Sequence, residues 1–351
     1  MRETGMGAAG MGEKISVGII GASGYVGAEL MRLLHGHPSF EVGFVTGETQ
    51  ANTQVAELYP HLAAVADQTT FVSYQPQLLD DVDLVFLALP HGESMSLAKD
   101  LLEHNKLVVD LAADFRLKDP NTYQRWYGEE HSAPDLLSQF TYGLPELFRS
   151  DIIQSKAVAA PGCYPTAAAL ALAPLTRLGL VQTDGIIVDA ASGVSGAGRP
   201  PKPHTTFCTV DEDFTAYGLG NHRHTPEIEQ TVGASVLFTP HLAPMSRGIL
   251  ATCYSKPTMP TSTPALYEVL EDFYAKEPFV IVAERPPSTK AAMGSNTAHL
   301  AVRFDTRTQT VMTLCAIDNL VKGAAGQAIQ CANLICGLDE TTGLSSIGVF
   351  P

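Results

Sequence analysis

The chain lacks the features that mark several classes of protein. It has 22 lysines and arginines against 37 acidic residues, a formal charge of −15. Such a field repels nucleic acid and anionic membrane surfaces, and it argues against either as a partner. No apolar run approaches the length that spans a bilayer. There is no internal repeat and little low-complexity sequence. The six cysteines in 351 residues show no paired spacing, and Cys331 and Cys336 stand too far apart for a zinc knuckle. These absences predict reduced thiols in a cytoplasmic protein with no metal site. Five of the six thiols read as packing residues. Met1 to Glu13 is rich in Gly and Met, lacks the apolar core of a signal peptide, and reads as a disordered leader.

What remains is a globular chain too long for one comfortable core, so two domains are expected. Lys14 to Ile20 is a short branched run suited to a buried strand. It leads into Gly21-Ala-Ser-Gly24-Tyr-Val-Gly27 and then a helical stretch from Ala28 to Leu34. Strand, glycine turn and helix present backbone N–H groups to a pyrophosphate. Gly21, Ser23, Gly24, Tyr25 and Val26 are therefore candidate cofactor contacts. The next strand, Phe40 to Thr46, ends where a dinucleotide fold reads the adenosine ribose. Thr46-Gly47 offers a hydroxyl and a free N–H there, which leans to NADP(H); Glu48, two residues later, moderates that lean. Asp83 to Pro90 is another buried strand, and Pro90 should lie under the cofactor. His91, in the following turn, reads either as a ligand contact or as a structural turn residue. Leu107 to Asp110 leads into Asp114-Phe-Arg116, an ion pair or an anion site.

Lys14 to Cys163 alternates strand and helix, which implies a Rossmann-type doubly wound parallel sheet. After Pro174 the pattern changes. Strands at 186–190, 236–239, 248–254, 279–282, 297–303 and 310–317 are broken by two good helices, 226–232 and 264–275. That is an α+β domain on a mostly antiparallel sheet. The expected division is a dinucleotide domain over 14–163, completed by a C-terminal helix within 319–351, and a catalytic, substrate and oligomerisation domain over 164–318.

The chemistry gathers at Ala159-Ala-Pro-Gly162-Cys163-Tyr-Pro-Thr166. A strand breaks at Pro161-Gly162, and a helix follows with Thr166 as its cap. A thiol at such a break faces N–H groups and the helix dipole, which predicts a lowered pKa and a nucleophilic thiolate. Four groups can converge on it. Ser192-Gly193-Val-Ser-Gly-Ala-Gly-Arg199 is a loop of unhindered N–H donors ending in a cation, suited to an anion or a carbonyl oxygen. His222-Arg-His224 precedes a helix and can supply one general base and an anion clamp. Arg247 is a further clamp. Asp318-Asn319-Leu-Val-Lys322 is poised for the nicotinamide side. Two histidines two residues apart, with no third ligand, make a poor metal site.

These stretches resemble the N-acetyl-γ-glutamyl-phosphate reductases of arginine biosynthesis, from about residue 15 to the end. Pro161-Gly-Cys-Tyr-Pro-Thr166 and Ser192-Gly-Val-Ser-Gly-Ala-Gly-Arg199 carry the resemblance most specifically. It implies an NADP-dependent phosphorylating aldehyde dehydrogenase, working as an acyl-phosphate reductase. NADPH would reduce N-acetyl-γ-glutamyl phosphate to the 5-semialdehyde with release of phosphate, through a cysteine thioester and a thiohemiacetal. Cys163 would be the nucleophile and His222 the acid/base, with His224 second. Arg116, Arg199 and Arg247 would hold the substrate's anionic groups beside Ser192, Gly193 and His224. The cofactor would touch Gly21, Ser23, Gly24, Tyr25, Val26, Thr46, Pro90, Ser192, Gly193 and Asn319. A homodimer or homotetramer is implied. One departure concerns the coenzyme: many members carry Ser-Arg where this chain has Thr46-Gly47-Glu48. The competing readings are an aspartate-semialdehyde dehydrogenase, which shares the layout, and a non-catalytic NADP-binding sensor, which would need no lowered thiol pKa.

Overall fold

The computed structural model describes residues 14–350, so the expected leader lies outside the described residues. Thirteen strands form two sheets. β1 (Ile15–Ile20), β2 (Phe40–Val45), β3 (Leu84–Leu87), β4 (Leu107–Asp110), β5 (Phe140–Tyr142) and β6 (Ala157–Ala159) make a six-stranded sheet in the order β2-β1-β3-β4-β6-β5. Every pairing in it is parallel. The strands read as apolar runs because helices cover both faces. Leu30, Leu33 and Leu34 of the helix Tyr25–His35 lie on one face, together with Ala325, Ala328 and Ile329 near the C-terminus. Met95, Ala98 and Leu101 of the helix Ser94–Glu103 lie on the other. The chain leaves β1 for β2 on one side and returns to β3 on the other, so a crevice opens beyond the carboxyl ends of β1 and β3.

β7 (Ile186–Gly193), β8 (Thr215–Ala216), β9 (Val236–Ala243), β10 (Ile249–Ser255), β11 (Val280–Val282), β12 (Ala298–Asp305) and β13 (Thr310–Ile317) form the second sheet, β11-β12-β13-β10-β7-β9-β8. Its neighbours pair antiparallel except β11 with β12 and β7 with β9. Burial alternates along β10 as BiBiBiB, the pattern of a sheet packed on one face. The packed face meets the Cys163 helix, whose run of small residues, Ala167 to Ala169 and Ala171, admits a close approach.

That helix departs from the sequence reading at its start. It begins at Cys163, with Gly162 as its N-cap residue. Thr166 is therefore inside the first turn, and its Oγ1 donates back to Gly162 O at 3.0 Å. The helix also passes through Pro174 and ends at Arg177. Proline removes the N–H that would bond Leu170 O, and the Tyr274 hydroxyl donates to that carbonyl instead, at 2.7 Å. The chain after β13 differs too. A π-helical turn, Val321–Ala325, precedes the helix Gly326–Ile335, and residues 337–350 are turns rather than helix. Cys253, Cys315 and Cys331 are buried, whereas Cys208 is exposed on a short helical turn and is not a packing residue. Among the described residues no helix is long and apolar enough to cross a membrane.

The glycine turn depends on two close approaches. Gly21 has φ +84°, and a Cβ on Gly27 would lie 2.4 Å from the Cα of Ala22. Gly24 is different, since the nearest atom to its would-be Cβ is Gly21 O at 3.9 Å. Gly27→Ala is expected to cost about 1–3 kcal/mol by overpacking, while Gly24→Ala stays within about 0.5 kcal/mol of wild type. Urea unfolding of both variants checks this; equal losses would mean that the helix does not rest on Ala22.

Candidate active site

Two cavities meet at the boundary between the sheets. One, of about 710 Å³, runs along the glycine turn and the end of β2. The other, of about 510 Å³, opens among Tyr127, Tyr217 and the 221–224 segment. Leu89, Leu111, Arg116, Cys163, Gly196 and His224 line both. Cys163 is therefore in the wall between a dinucleotide-sized cleft and a smaller chamber.

The first cleft fits a nicotinamide dinucleotide. Gly21, Ser23, Gly24, Tyr25, Val26, Thr46, Pro90 and Asn319 all line it. The opening N–H groups of the helix Tyr25–His35 have no partner within the helix, and Gly24 leaves open space before them. Thr46 Oγ1 accepts from Gly21 N at 3.1 Å, which clamps the turn to the end of β2. Asn319 joins the second sheet to the cleft: its Oδ1 accepts from Gly248 N at 2.7 Å, and its Nδ2 donates to Ser195 Oγ at 2.9 Å.

The Cys163 turn is anchored by a residue that the sequence reading gave no role. Glu227, in the first turn of the helix Thr225–Val232, is buried. Its Oε1 accepts from Gly162 N and from the Tyr142 hydroxyl, each at 2.8 Å. Its Oε2 lies 3.4 Å from Arg116 Nη1. Arg116 also donates from Nε to Ala160 O at 2.9 Å and from Nη2 to Leu111 O at 2.7 Å. Three of its five N–H groups are thus committed to scaffold, and the residue lines the shared wall. The Asp-Phe-Arg segment divides its work: Arg116 takes the ion pair, while Asp114 accepts from Gly92 N at 2.7 Å and Ser94 N at 3.1 Å, which fixes the loop after β3. Ser94 Oγ lies within 3.0 Å of both Asp110 and Asp114. A hydroxyl has one hydrogen, so one carboxyl must carry a proton for both contacts. Burial, then the Asp114 charge, pushes Asp110 up to about 7, the direction that favours the proton there.

The electrostatics correct the expected thiolate. Cys163 is half-buried, and burial pushes its thiol up to about 11, against the pull of Tyr164 N–H and the Arg116 guanidinium. The helix terminus does act in the expected sense, but desolvation outweighs it. The two histidines are held neutral. Burial, reinforced by Arg223, lowers His222 to about 4. Burial, then His222, Arg116 and Arg223, drives His224 well below the usual range.

The two histidines also differ in position, against the order expected from sequence. A Cβ on Gly162 would lie 2.5 Å from His224 Nε2, so that ring rests on the residue before the thiol. His224 Nδ1 is buried without a hydrogen-bond partner. His222 is one layer out, edge-on to Tyr164, Tyr217 and Phe238, with Nδ1 accepting from His224 N at 3.1 Å. His222 lines the chamber alone and not the cleft.

Several expected substrate contacts lie elsewhere. Arg247 lines neither cavity; it pairs with Glu29 at 2.7 Å and Asp318 at 3.5 Å, because two buried carboxylates need a cation there. Gly193 lines neither, since its N–H donates to Gly248 O in the β7–β10 edge. Ser192 lines the chamber and not the cleft. Arg199 lines the cleft and not the chamber. Lys322 is buried away from both, on Glu146 at 2.5 Å. The chamber's cations are Arg116, Lys202 and Arg223, with Arg223 against His91 and 5.4 Å above the Tyr127 ring. Arg223 was visible between its histidines. Lys202, in a Pro-rich loop, gave no sequence signal.

Comparison with known proteins agrees with this architecture. A family model described as "Semialdehyde dehydrogenase, NAD binding domain" matches residues 16–155, and one described as "Semialdehyde dehydrogenase, dimerisation domain" matches 163–319. Fold and cleft are those of a semialdehyde dehydrogenase. Aspartate semialdehyde dehydrogenase II of Vibrio cholerae, complexed with ASA, superimposes with a TM-score of 0.69 over 93% of this chain and 99% of that one, at 17% identity. The Candida albicans aspartate semialdehyde dehydrogenase with NADP gives 0.67 over 92% and 99%, at 14% identity. At such identities the likeness concerns the fold. The N-acetyl-gamma-glutamyl-phosphate reductase of Desulforamulus reducens is 48% identical over 345 residues, 96% of this chain and 100% of that protein. Its namesake from Symbiobacterium thermophilum is 49% identical over 347 residues, 96% and 99%. The chain belongs to the N-acetyl-gamma-glutamyl-phosphate reductase family.

Two expectations test the site. Iodoacetamide alkylation of Cys163 in the free protein should keep rising through pH 9 toward about 11; a plateau reached below pH 8 would restore the pre-ionised thiolate. Arg247→Met should destabilise the fold by roughly 1–3 kcal/mol through two stranded carboxylates, with KM for substrate unchanged. A tenfold rise in KM at unchanged stability would return Arg247 to substrate binding.

Proposed function

We propose that the protein reduces N-acetyl-γ-glutamyl phosphate to N-acetylglutamate 5-semialdehyde and phosphate, with NADPH as reductant, using Cys163 as nucleophile and His224 as the proton carrier. The observation that carries the reading is the position of Cys163 and His224 in the one wall shared by the dinucleotide cleft and the cationic chamber. The full-length relatives named for this reaction support it over the aspartate-semialdehyde alternative, whose likeness is one of fold.

At neutral pH thiol and imidazole both start uncharged, so proton transfer accompanies attack. His224 takes the thiol proton as sulfur bonds to the acyl carbon. The C–O bond to phosphate breaks, and phosphate leaves toward the chamber's cations. Cys163 then carries the acyl group as a thioester. Bound NADPH supplies the hydride that this thioester carbon accepts. The resulting oxyanion collapses to the aldehyde, and the departing sulfur recovers its proton from His224. Arg116, with two uncommitted N–H groups at the same wall, stabilises negative charge on the oxygen. His222 supports His224 through the hydrogen bond to its N–H and through ring contact, 4.9 Å between centroids.

The second sheet suits a homodimer or homotetramer. Ile187 and Leu237 are register partners on its unpacked face, and Leu237 is 61% exposed. The matched model for this region is described as a dimerisation domain. Six unpaired cysteines support a cytoplasmic setting.

Cys163→Ser should lose at least about a thousandfold in reduction while NADPH still quenches intrinsic fluorescence; retention of most of the rate would remove the covalent route. His224→Asn should cost roughly 100-fold in kcat and His222→Asn less than tenfold. The reverse order would make His222 the proton carrier.

A further inference from the structure

The adenosine end of the cleft is poor in positive charge. Thr46, Gly47, Glu48 and Thr49, which follow β2, all line it, and none is cationic. The Glu48 carboxylate is turned aside, with Oε1 accepting from Tyr74 N at 2.9 Å. Among the described residues, the lysine and arginine side chains lining the cleft are Arg116 and Arg199 alone. Arg116 is tied down at the Cys163 end by Ala160 O, Leu111 O and Glu227.

Arg199 comes from the second domain, at the end of the loop after β7, and reaches the first. Its Nε donates to Ser23 O at 2.7 Å, and the Tyr59 hydroxyl donates to the same oxygen at 2.7 Å. Ser23 in turn packs on the end of β2, since a Cβ on Gly47 would lie 2.9 Å from Ser23 Cβ. The Arg199 guanidinium is therefore held one residue away from the strand end where a dinucleotide fold reads the ribose. Its terminal nitrogens make no hydrogen bond to any described residue. A half-buried guanidinium with its fork uncommitted matches phosphate bidentately.

We propose that Arg199 recognises the 2′-phosphate of NADP(H) and sets the preference for it over NAD(H). The proposal rests on the dinucleotide reading of the cleft. The cation that β2 does not carry is supplied from across the domain boundary. Glu48, which on its own would accept from a 2′-hydroxyl and repel a 2′-phosphate, is countered by the same charge. Recognition of the 2′-phosphate also pins the 194–199 loop, and with it Gly196, against the wall that holds Cys163.

Calorimetric titration of 2′,5′-ADP and of 5′-AMP into the wild type, Arg199→Ala and Arg199→Lys separates the two phosphates. Arg199→Ala should weaken 2′,5′-ADP roughly tenfold or more, with 5′-AMP changed by less than about twofold. Arg199→Lys should fall between, and if the alanine variant does not fold, the lysine variant must by itself show a reduced ratio. Equal losses for the two ligands, or no loss for either, would overturn the assignment. A wild type that binds neither nucleotide nor NADPH would overturn the cleft reading and this proposal together, whereas binding of both without discrimination overturns the proposal alone.

Discussion

One buried carboxylate holds the site together. Glu227 is nearly inaccessible, and a carboxylate in that position is tolerated when its lone pairs are filled by strong donors. The donors are Gly162 N, the Tyr142 hydroxyl and Arg116. Gly162 precedes the thiol, Tyr142 ends β5, and Arg116 follows β4. Glu227 itself belongs to the helix that follows the two histidines. A single group therefore fixes the Cys163 turn, the edge of the first sheet and the histidine segment relative to one another. Because Arg116 spends three of its N–H groups on this scaffold, its guanidinium is held in place where it lines the shared wall. The cost of burying the charge is offset by placing several reacting groups at once.

The same burial decides the charge state of the Cys163 thiol. A helix N-terminus and a nearby guanidinium favour thiolate, and each pulls in that direction at Cys163. Neither matches the loss of solvation. The histidines respond to the same environment, with burial favouring the uncharged imidazole. A neutral thiol is a weaker nucleophile than a thiolate. In the proposed mechanism charge forms only as the acyl carbon arrives, when Arg116 and the chamber's cations can meet it.

The parallel sheet was legible because its strands are apolar runs between helical stretches, and the glycine turn because Gly21 and Gly27 have no substitute at their positions. The second sheet was legible from alternation, as in β10. The Cys163 turn was visible because Pro161-Gly162 interrupts an apolar strand. What sequence could not reveal was where charged side chains end. Arg116, Arg199 and Arg247 look alike in a list of clamps. One is shared between scaffold and site, one lies over the glycine turn, and one is consumed by Glu29 and Asp318. Their fates are set by partners 111, 176 and 218 residues away in the chain, and periodicity does not encode such separations. Glu227 had no role in the sequence reading for the same reason: its partners lie 65, 85 and 111 residues away.

The last helix shows how distant packing reaches the thiol. Lys322 and Glu146 form a fully buried ion pair, with Gln330 adding a contact to the ammonium at 2.8 Å. Such a pair gains little over an apolar substitute, so its value lies in fixing where the chain runs. Lys322 stands inside the π-helical turn Val321–Ala325, and the next residue, Gly323, faces the active site. A Cβ on Gly323 would lie 2.8 Å from the Cβ of Cys163. The missing side chain lets the backbone at Gly323 lie against Cys163. Cys163 thus lies beside Gly162, which Glu227 holds, and beside Gly323, which follows the buried Lys322. Cys163 also lines both cleft and chamber, and in the proposed mechanism the acyl carbon would approach it from there.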